Sequence, residues 1–443
     1  MPSNHSVVQQ AAEAHEAGRL KDAVNLYHVA LLTDPGDWRV HYNLATALRL
    51  QGDVDRALVS YANTLRYRPD LADAHNDRGV TLAGIGKIPE SIASLRRAIV
   101  CSPSLTGAYN ALGVVLKEQG RASEAVPAFS RALDCQPGQP DALFARGESL
   151  LQIGDWEPGW KGYQYRFAIK YLNFKQRRYP QPLWRGEAGQ GRVMLLWSEQ
   201  GFGDAIQFCR FAPALVLQGW HVVLEVPREL KRLLAPMPGV SVIATGETPP
   251  LFDAHFPLLD LPGVLGVTPD KLTGEAYLAA DSGTIEFCRQ RLAGLPGKKV
   301  GIVWRGRDTN VRERLRGTSA AFFSKFLDVP GISVVSLQKD AKPEELDALG
   351  VNAIDGGPSL ADFADTAALV STLDLVISTD TAVAHLAGAV GVPTWVLLDA
   401  GADWRWLEGR SDSPWYRSVR LFRQPKPGDW DSVAAEVKAA LAG

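Results

Sequence analysis

The chain has 443 residues, enough for two or three domains. Its composition, 46% hydrophobic and 22% charged, is that of a folded globular protein, and a net charge of −2 gives no general case for nucleic-acid binding. Four scattered cysteines (Cys101, Cys135, Cys209, Cys288) show no C-x-x-C spacing, which argues against a disulfide framework or a zinc site and fits a reducing cytoplasm. The opening MPSNHSVVQQAAEAHEAG lacks a basic start before an apolar core, so no signal peptide is expected, and no apolar run is long enough to span a bilayer.

The first 170 residues read as an internal repeat. Prolines fall at Pro35, Pro69, Pro103 and Pro137, and glycines at Gly18, Gly52, Gly86, Gly120 and Gly154, each series in steps of 34. In the same register stand Ala23, Ala57, Ser91 and Ala125, then Tyr27, Tyr61, Leu95 and Phe129, and the small residues Ala11, Ala45, Gly79, Gly113 and Gly147. The pattern resembles the tetratricopeptide repeat. Small residues let two antiparallel helices approach, the glycine turns between them, and the proline stops the second helix. Four full units are expected, with a divergent fifth from Pro140 that has Tyr171 where the next proline belongs. Such an array presents a groove for a protein partner, and Tyr42, Asn43, Asn76, Asp77 and Asn110 are its candidate lining residues. Asparagine amides can bond a peptide backbone without regard to its sequence.

Beyond residue 171 the pattern changes to short apolar runs alternating with helical stretches, which predicts parallel βαβ units. Strands are expected at 192–197, 221–226 and 240–245, then at 298–304, 332–338, 375–379 and 394–398, with helices between. The segment 281–297 is the expected helix and hinge between the halves. The domains are therefore 1–170, 190–280 and 281–443, a helical solenoid followed by two Rossmann-like α/β halves.

Three stretches could carry chemistry. In GFGD (201–204), Gly203 allows close backbone approach, and Asp204 either caps a helix or serves as a general base. The loop after the 298–304 strand begins at Trp304 and holds Arg305, Arg307, Arg312, Arg314 and Arg316, guanidiniums suited to a diphosphate leaving group. Gln338 and Lys339 share that sheet edge. In LVISTDTAVAHLAGAVGVPTWVLL (375–398), a strand runs into a helix from Ala382 whose N-terminal N–H groups suit an anion. Asp380, Thr381 and, one turn on, His385 would face it.

The stretch STDTAVAHLAGAVGVPTWVLL, the GFGD turn and the tail motifs DWRWL and PGDW together resemble the bacterial heptosyltransferase-like glycosyltransferases, in a subgroup with tetratricopeptide repeats ahead of the transferase. The architecture is also similar to that of the protein O-glycosyltransferases. The resemblance implies a GT-B fold, with acceptor on the first half, nucleotide-sugar on the second, inversion at the sugar carbon, and neither metal nor cofactor. It implies Asp204 as the base, and Gly203, Trp304, Arg305, Arg307, Arg312, Arg314, Gln338, Asp380, Thr381, Ala382 and His385 on the donor side. Val311 stands where the family carries a lysine, so that Arg312 or Arg314 would replace it. The expected function is cytoplasmic transfer of a sugar to a protein hydroxyl, flagellin or another surface protein by association. Transfer to a lipopolysaccharide or other glycan, and a repeat scaffold with a degenerate transferase half, are the alternatives.

Overall fold

The structure is a computed structural model, described here for residues 4–174, 176–306, 316–351 and 353–443. Its chain forms two compact units, Met1–Arg146 and Gly147–Gly443.

The first unit is a series of antiparallel helix pairs: Asn4–Glu16 with Leu20–Thr33, Trp38–Gln51 with Val54–Tyr67, Ala72–Gly84 with Ile88–Cys101, and Thr106–Glu118 with Ala122–Cys135. The 34-residue register has direct physical causes. At Gly52, φ is 86°, and its N–H closes the first helix of the pair on Arg49 and Leu48 carbonyls, a left-handed cap that a side chain would strain. The small positions sit where helices touch: a Cβ at Gly113 would stand 2.7 Å from the Phe129 ring. Pro69, Pro103 and Pro137 each follow the second helix of a pair by two residues, where the chain must leave the helix.

The expected boundary at 170 moves. A further pair, Pro140–Ile153 and Trp156–Tyr163, continues the repeat, but the second unit already begins at Gly147. Tryptophans explain this. Trp156 stacks on Trp415 at 4.9 Å between ring centroids, and Trp160 packs edge-on against Trp404 at 5.3 Å. The Trp160 indole N–H also donates to the Val267 carbonyl at 3.3 Å. From Gly147 onward the divergent fifth repeat is thus a structural part of the second unit.

That unit holds two parallel sheets. The first has strands β1 (Val193–Trp197), β2 (His221–Val226), β3 (Val240–Ala244) and β4 (Ala254–Pro257), in the order β3-β2-β1-β4. The second has β5 (Lys298–Val303), β6 (Ile332–Ser336), β7 (Ala353–Asp355), β8 (Leu375–Thr379), β9 (Thr394–Leu398) and β10 (Val419–Arg423), in the order β10-β9-β8-β5-β6-β7. Every pairing within both sheets is parallel. The second order is the doubly wound arrangement of a dinucleotide-binding fold, in which the chain winds outward to β7 and returns to the other side of β5.

The second sheet is buried on both faces. Val300, Ile302, Ile377 and Leu397 pack on one side against Phe323, Phe326 and the C-terminal helix Trp430–Ala442. Val303, Val335 and Val376 pack on the other against Leu369, Ala387 and the helix Ser282–Leu292. Two-sided burial is why these strands read as unbroken apolar runs.

Candidate functional site

In an open α/β sheet, ligands bind beyond the carboxyl ends of strands where the winding reverses. Here that point lies between β5 and β8 in the second sheet and between β1 and β4 in the first. The residues following these strands line one cleft of about 1100 Å³. Gly203, Asp204, Arg305, Gln338, Asp380, Thr381, Ala382 and His385, all singled out from the sequence, are in its walls. Arg307, Arg312, Arg314 and Val311 lie outside the described residues.

Trp304 needs correction as a ligand contact. Its ring is wholly buried in the core of the second sheet, and its indole N–H donates to Glu345 Oε1 at 3.2 Å. Arg305, next in sequence, reaches the cleft but is heavily engaged. It bonds both carboxylate oxygens of Glu345 at 3.1 Å and Asp340 Oδ2 at 2.8 Å. The guanidinium holds the Glu345 carboxyl far below its usual range, at about 2. Gln338, buried behind it, accepts the Arg305 backbone N–H at 3.3 Å and donates to Asp340 at 2.7 Å.

Across the switch point, β8 ends in Thr379, and Thr381 caps the helix Ala382–Val390 in extended geometry. The Thr381 hydroxyl pairs with Ser378 Oγ at 2.9 Å, leaving the first-turn amides of the helix to face the cleft beside Ala382 and Val383. Asp380 is nearly buried, 3.6 Å from Arg316 Nη1 and 3.8 Å from His385 Nε2. His385 stacks on Trp406 at 5.1 Å, and its Nδ1 lies 3.0 Å from the Tyr416 hydroxyl. Burial pushes the imidazole down to about 4, so it is neutral near pH 7. With Tyr416 donating to Nδ1, Nε2 would carry the proton toward Asp380 and the cleft.

Gly203 has a different use from the one its sequence suggests. A Cβ there would stand 2.8 Å from His385 Cδ2 and 3.5 Å from Ala382 Cα. The missing side chain lets the helix Phe202–Phe208 close onto the helix Ala382–Val390, so the two sheets' helix N-termini meet at the cleft floor.

Asp204 sits in the first turn of the Phe202–Phe208 helix, and both of its oxygens are taken. Oδ2 accepts the Gly201 N–H at 2.8 Å, holding the glycine turn against the first turn of the helix, and Oδ1 pairs with Arg405 at 2.5 Å. Burial raises its pKa, against the pull of Arg405. Arg405 is buried and also bonds Asp403 at 2.7 Å and Gln207 at 2.9 Å. Sequence reading missed Arg405 and Asp403, whose DWRWL context stands out only as a tail motif. It also passed over Glu199, four residues after β1's Leu195, and the buried Arg166 that bonds it at 2.6 Å. A carboxylate directly after an apolar strand and beside a glycine turn is the one signal that pointed there.

In the repeat unit three of the candidate groove residues, Tyr42, Asn76 and Asp77, form one hydrogen-bonded cluster. The Tyr42 hydroxyl donates to Asp77 Oδ2 at 2.7 Å, Asn76 donates to Asp77 Oδ1 at 3.1 Å, and Asn110 donates to Gln139 at 3.0 Å. Burial, with Asp77 adding to it, holds the Tyr42 phenol well above its ordinary pKa. The amide oxygens of Asn76 and Asn110 accept no hydrogen bond among the described residues, and Asn43 is half-buried. No group of three or more metal-ligating side chains occurs among the described residues, and no described helix is long and apolar enough to cross a membrane.

These repeats are tetratricopeptide repeats: profiles of that description match residues 14–76, and residues 51–105 and 110–157. The class defined by fold and sequence is therefore a tetratricopeptide-repeat protein with a two-sheet α/β C-terminal region. Over 460 aligned residues, the chain is 29% identical to Protein FlbA of Caulobacter vibrioides, spanning 97% of this chain and 71% of that one. Solved structures similar to it include a MamA protein (20% identity, TM-score 0.35, 40% of this chain and 98% of that one). Another is Pseudomonas aeruginosa pilF (20% identity, TM-score 0.35, 39% of this chain and 78% of that one).

Proposed function

We propose that this protein is a glycosyltransferase of the cytoplasm. It would move a sugar from a nucleotide-sugar, in a metal-independent inverting reaction, to a hydroxyl on a protein recruited by the repeats. The observation that carries this reading is the shared cleft. The doubly wound sheet's switch point, with Arg305, Gln338 and the helix starting at Ala382, faces the acidic turn after β1 across about 1100 Å³. Helix N-terminal amides favour a diphosphate through their partial positive charge, and they need no reorganisation as charge builds on the leaving group. A neutral His385 Nε2–H would donate to the same anion. The cleft arginines Arg305 and Arg316 are already paired with carboxylates, whereas Lys339, also in the lining, bonds the Ala361 carbonyl and would supply countercharge to the phosphates.

On the opposite wall stand the acids Glu199 and Asp204 after β1, one of which would take the acceptor proton. The acceptor would be a protein, flagellin or another surface protein modified before export. Titration of the full chain with UDP, GDP, ADP and CMP by calorimetry, followed by incubation with their sugar conjugates and candidate acceptor proteins, tests the reading. Binding of one of these nucleotides and transfer of the sugar from its conjugate is the expected result. Absence of binding by all four would reduce the chain to a repeat scaffold.

A further inference from the structure

The first sheet's switch point is plugged by a side chain from the fifth repeat. Arg166, wholly buried, places Nη2 2.6 Å from Glu199 Oε1 at the end of β1 and Nη1 2.5 Å from Asp260 Oδ1 beyond β4. Its Nη1 also donates to the Tyr163 carbonyl at 3.2 Å. One guanidinium thus faces two carboxylates in a site removed from water. The remaining Glu199 oxygen, Oε2, has no hydrogen-bond partner among the described residues, although the side chain is only 2% exposed. Buried carboxylate oxygens are as a rule hydrogen-bonded, so an unbonded one calls for an explanation. Glu199 nevertheless belongs to the cleft wall, beside Gln200 and Gly201. Asp204, by contrast, would have to release Arg405 or the Gly201 N–H before accepting a proton.

We infer that Glu199 is the base that takes the proton of the acceptor hydroxyl, with Arg166 and Asp260 as positioning residues and Asp204 fixing the glycine turn. The inference rests on the glycosyl-transfer reading. In the step, the acceptor oxygen forms its bond to the sugar's anomeric carbon while the bond from that carbon to the phosphate oxygen breaks. The electron pair of the broken bond leaves with the nucleotide phosphate, a diphosphate from UDP-, GDP- and ADP-sugars and a monophosphate from a CMP-sugar, and the hydroxyl proton passes to Glu199 Oε2. Burial pushes the Glu199 carboxyl up to about 7, the range in which a base is both available and strong enough. The ionisable groups facing it are Arg166, Asp260 and Asp204, and Tyr163 through Gln200. The Tyr163 phenol, pushed to about 12 by burial, does not titrate in that range.

The test uses the full chain, UDP-, GDP-, ADP- and CMP-linked sugars, and an immobilised library of serine- and threonine-containing peptides as acceptor probe. Glu199→Gln should lower kcat by about 100-fold or more while leaving nucleotide affinity within about threefold. The wild-type rate should rise with pH through about 7, as the carboxylate form accumulates, and Asp204→Asn should keep that limb. Because Glu199→Gln leaves Arg166 short of a charge, calorimetric nucleotide binding reports whether the variant is folded. If it is not, the wild-type pH limb and Glu199→Asp, expected to retain partial turnover, decide. Wild-type turnover with Glu199→Gln within fivefold of it, or a flat wild-type profile across pH 6–8, overturns the Glu199 assignment alone. A wild-type chain that binds no nucleotide and releases none from any donor overturns the glycosyl-transfer reading, and this inference with it.

Discussion

At the residue scale the cleft is built from paired charges. Arg405 lies between Asp204 and Asp403, buried and stacked at 4.4 Å over Trp404. Arg405→Met removes the positive member and strands two carboxylates, so it should cost roughly 3–5 kcal/mol, measured by urea denaturation. His385 gives a second expectation, with a sign that can be worked out. Its folded-state pKa of about 4 lies below the usual value of 6.5, so its contribution is present above pH 6.5 and is lost as pH falls toward 4. The window of about 2.5 units corresponds to an upper limit of roughly 3 kcal/mol. Glu199 works in the opposite direction, since its raised pKa takes stability away as pH rises from 4.5 to about 7. The His385 term is therefore read as a difference: His385→Asn should lose less stability than the wild type between pH 6.5 and 4. Parallel curves for the two proteins would show that the imidazole is not protonated less readily when folded.

At the element scale, the closest approach of the two half-sites depends on one absent Cβ. Gly203→Ala would drive a methyl to 2.8 Å from His385, between two helix N-termini with little freedom to part. It should cost roughly 1–3 kcal/mol and weaken nucleotide binding, as followed by denaturation and calorimetry. Gly84→Ala is the matching control. That residue ends a helix with no atom within 4 Å of a Cβ, so the substitution should be neutral or stabilise by up to about 1 kcal/mol. Most elements of this scale were legible in the sequence, because two-sided burial writes apolar runs and repeat packing writes a 34-residue register. Three were not. β4 is only Ala254–Pro257, too short to show a period. β10, VRLFR, is an edge strand that mixes arginines with apolar residues. The helix Trp430–Ala442 follows a proline- and glycine-rich turn and has a modest apolar stripe, so it passed as a tail.

At the scale of the whole molecule, the division at Arg146 changes how the repeats should be removed. Deleting residues 1–170 would take away Trp156, Trp160 and Arg166, and with them the charge that Glu199 and Asp260 share. Such a fragment should fold poorly whatever its substrate. Deleting residues 1–139 keeps the helix Pro140–Ile153 and everything after it. The shorter deletion should leave nucleotide affinity unchanged and abolish transfer to a protein acceptor. Retained transfer to a glycan would instead favour a lipopolysaccharide-type acceptor, with the repeats serving another purpose.

By itself the sequence determined the repeat register, the two α/β halves and the stretch from Leu375 to Leu398 as a strand–helix–strand unit. Those features are local, set by periodicity, turn residues and helix caps. Tertiary structure alone decided that Trp304 is core, that Gly203 makes room for His385, and that Arg166 and Arg405 each hold two carboxylates. Arg166 meets Asp260 across 94 residues and Arg405 meets Asp204 across 201. No pattern within a helix or strand encodes contacts that exist only once the parallel strands have brought their carboxyl ends together.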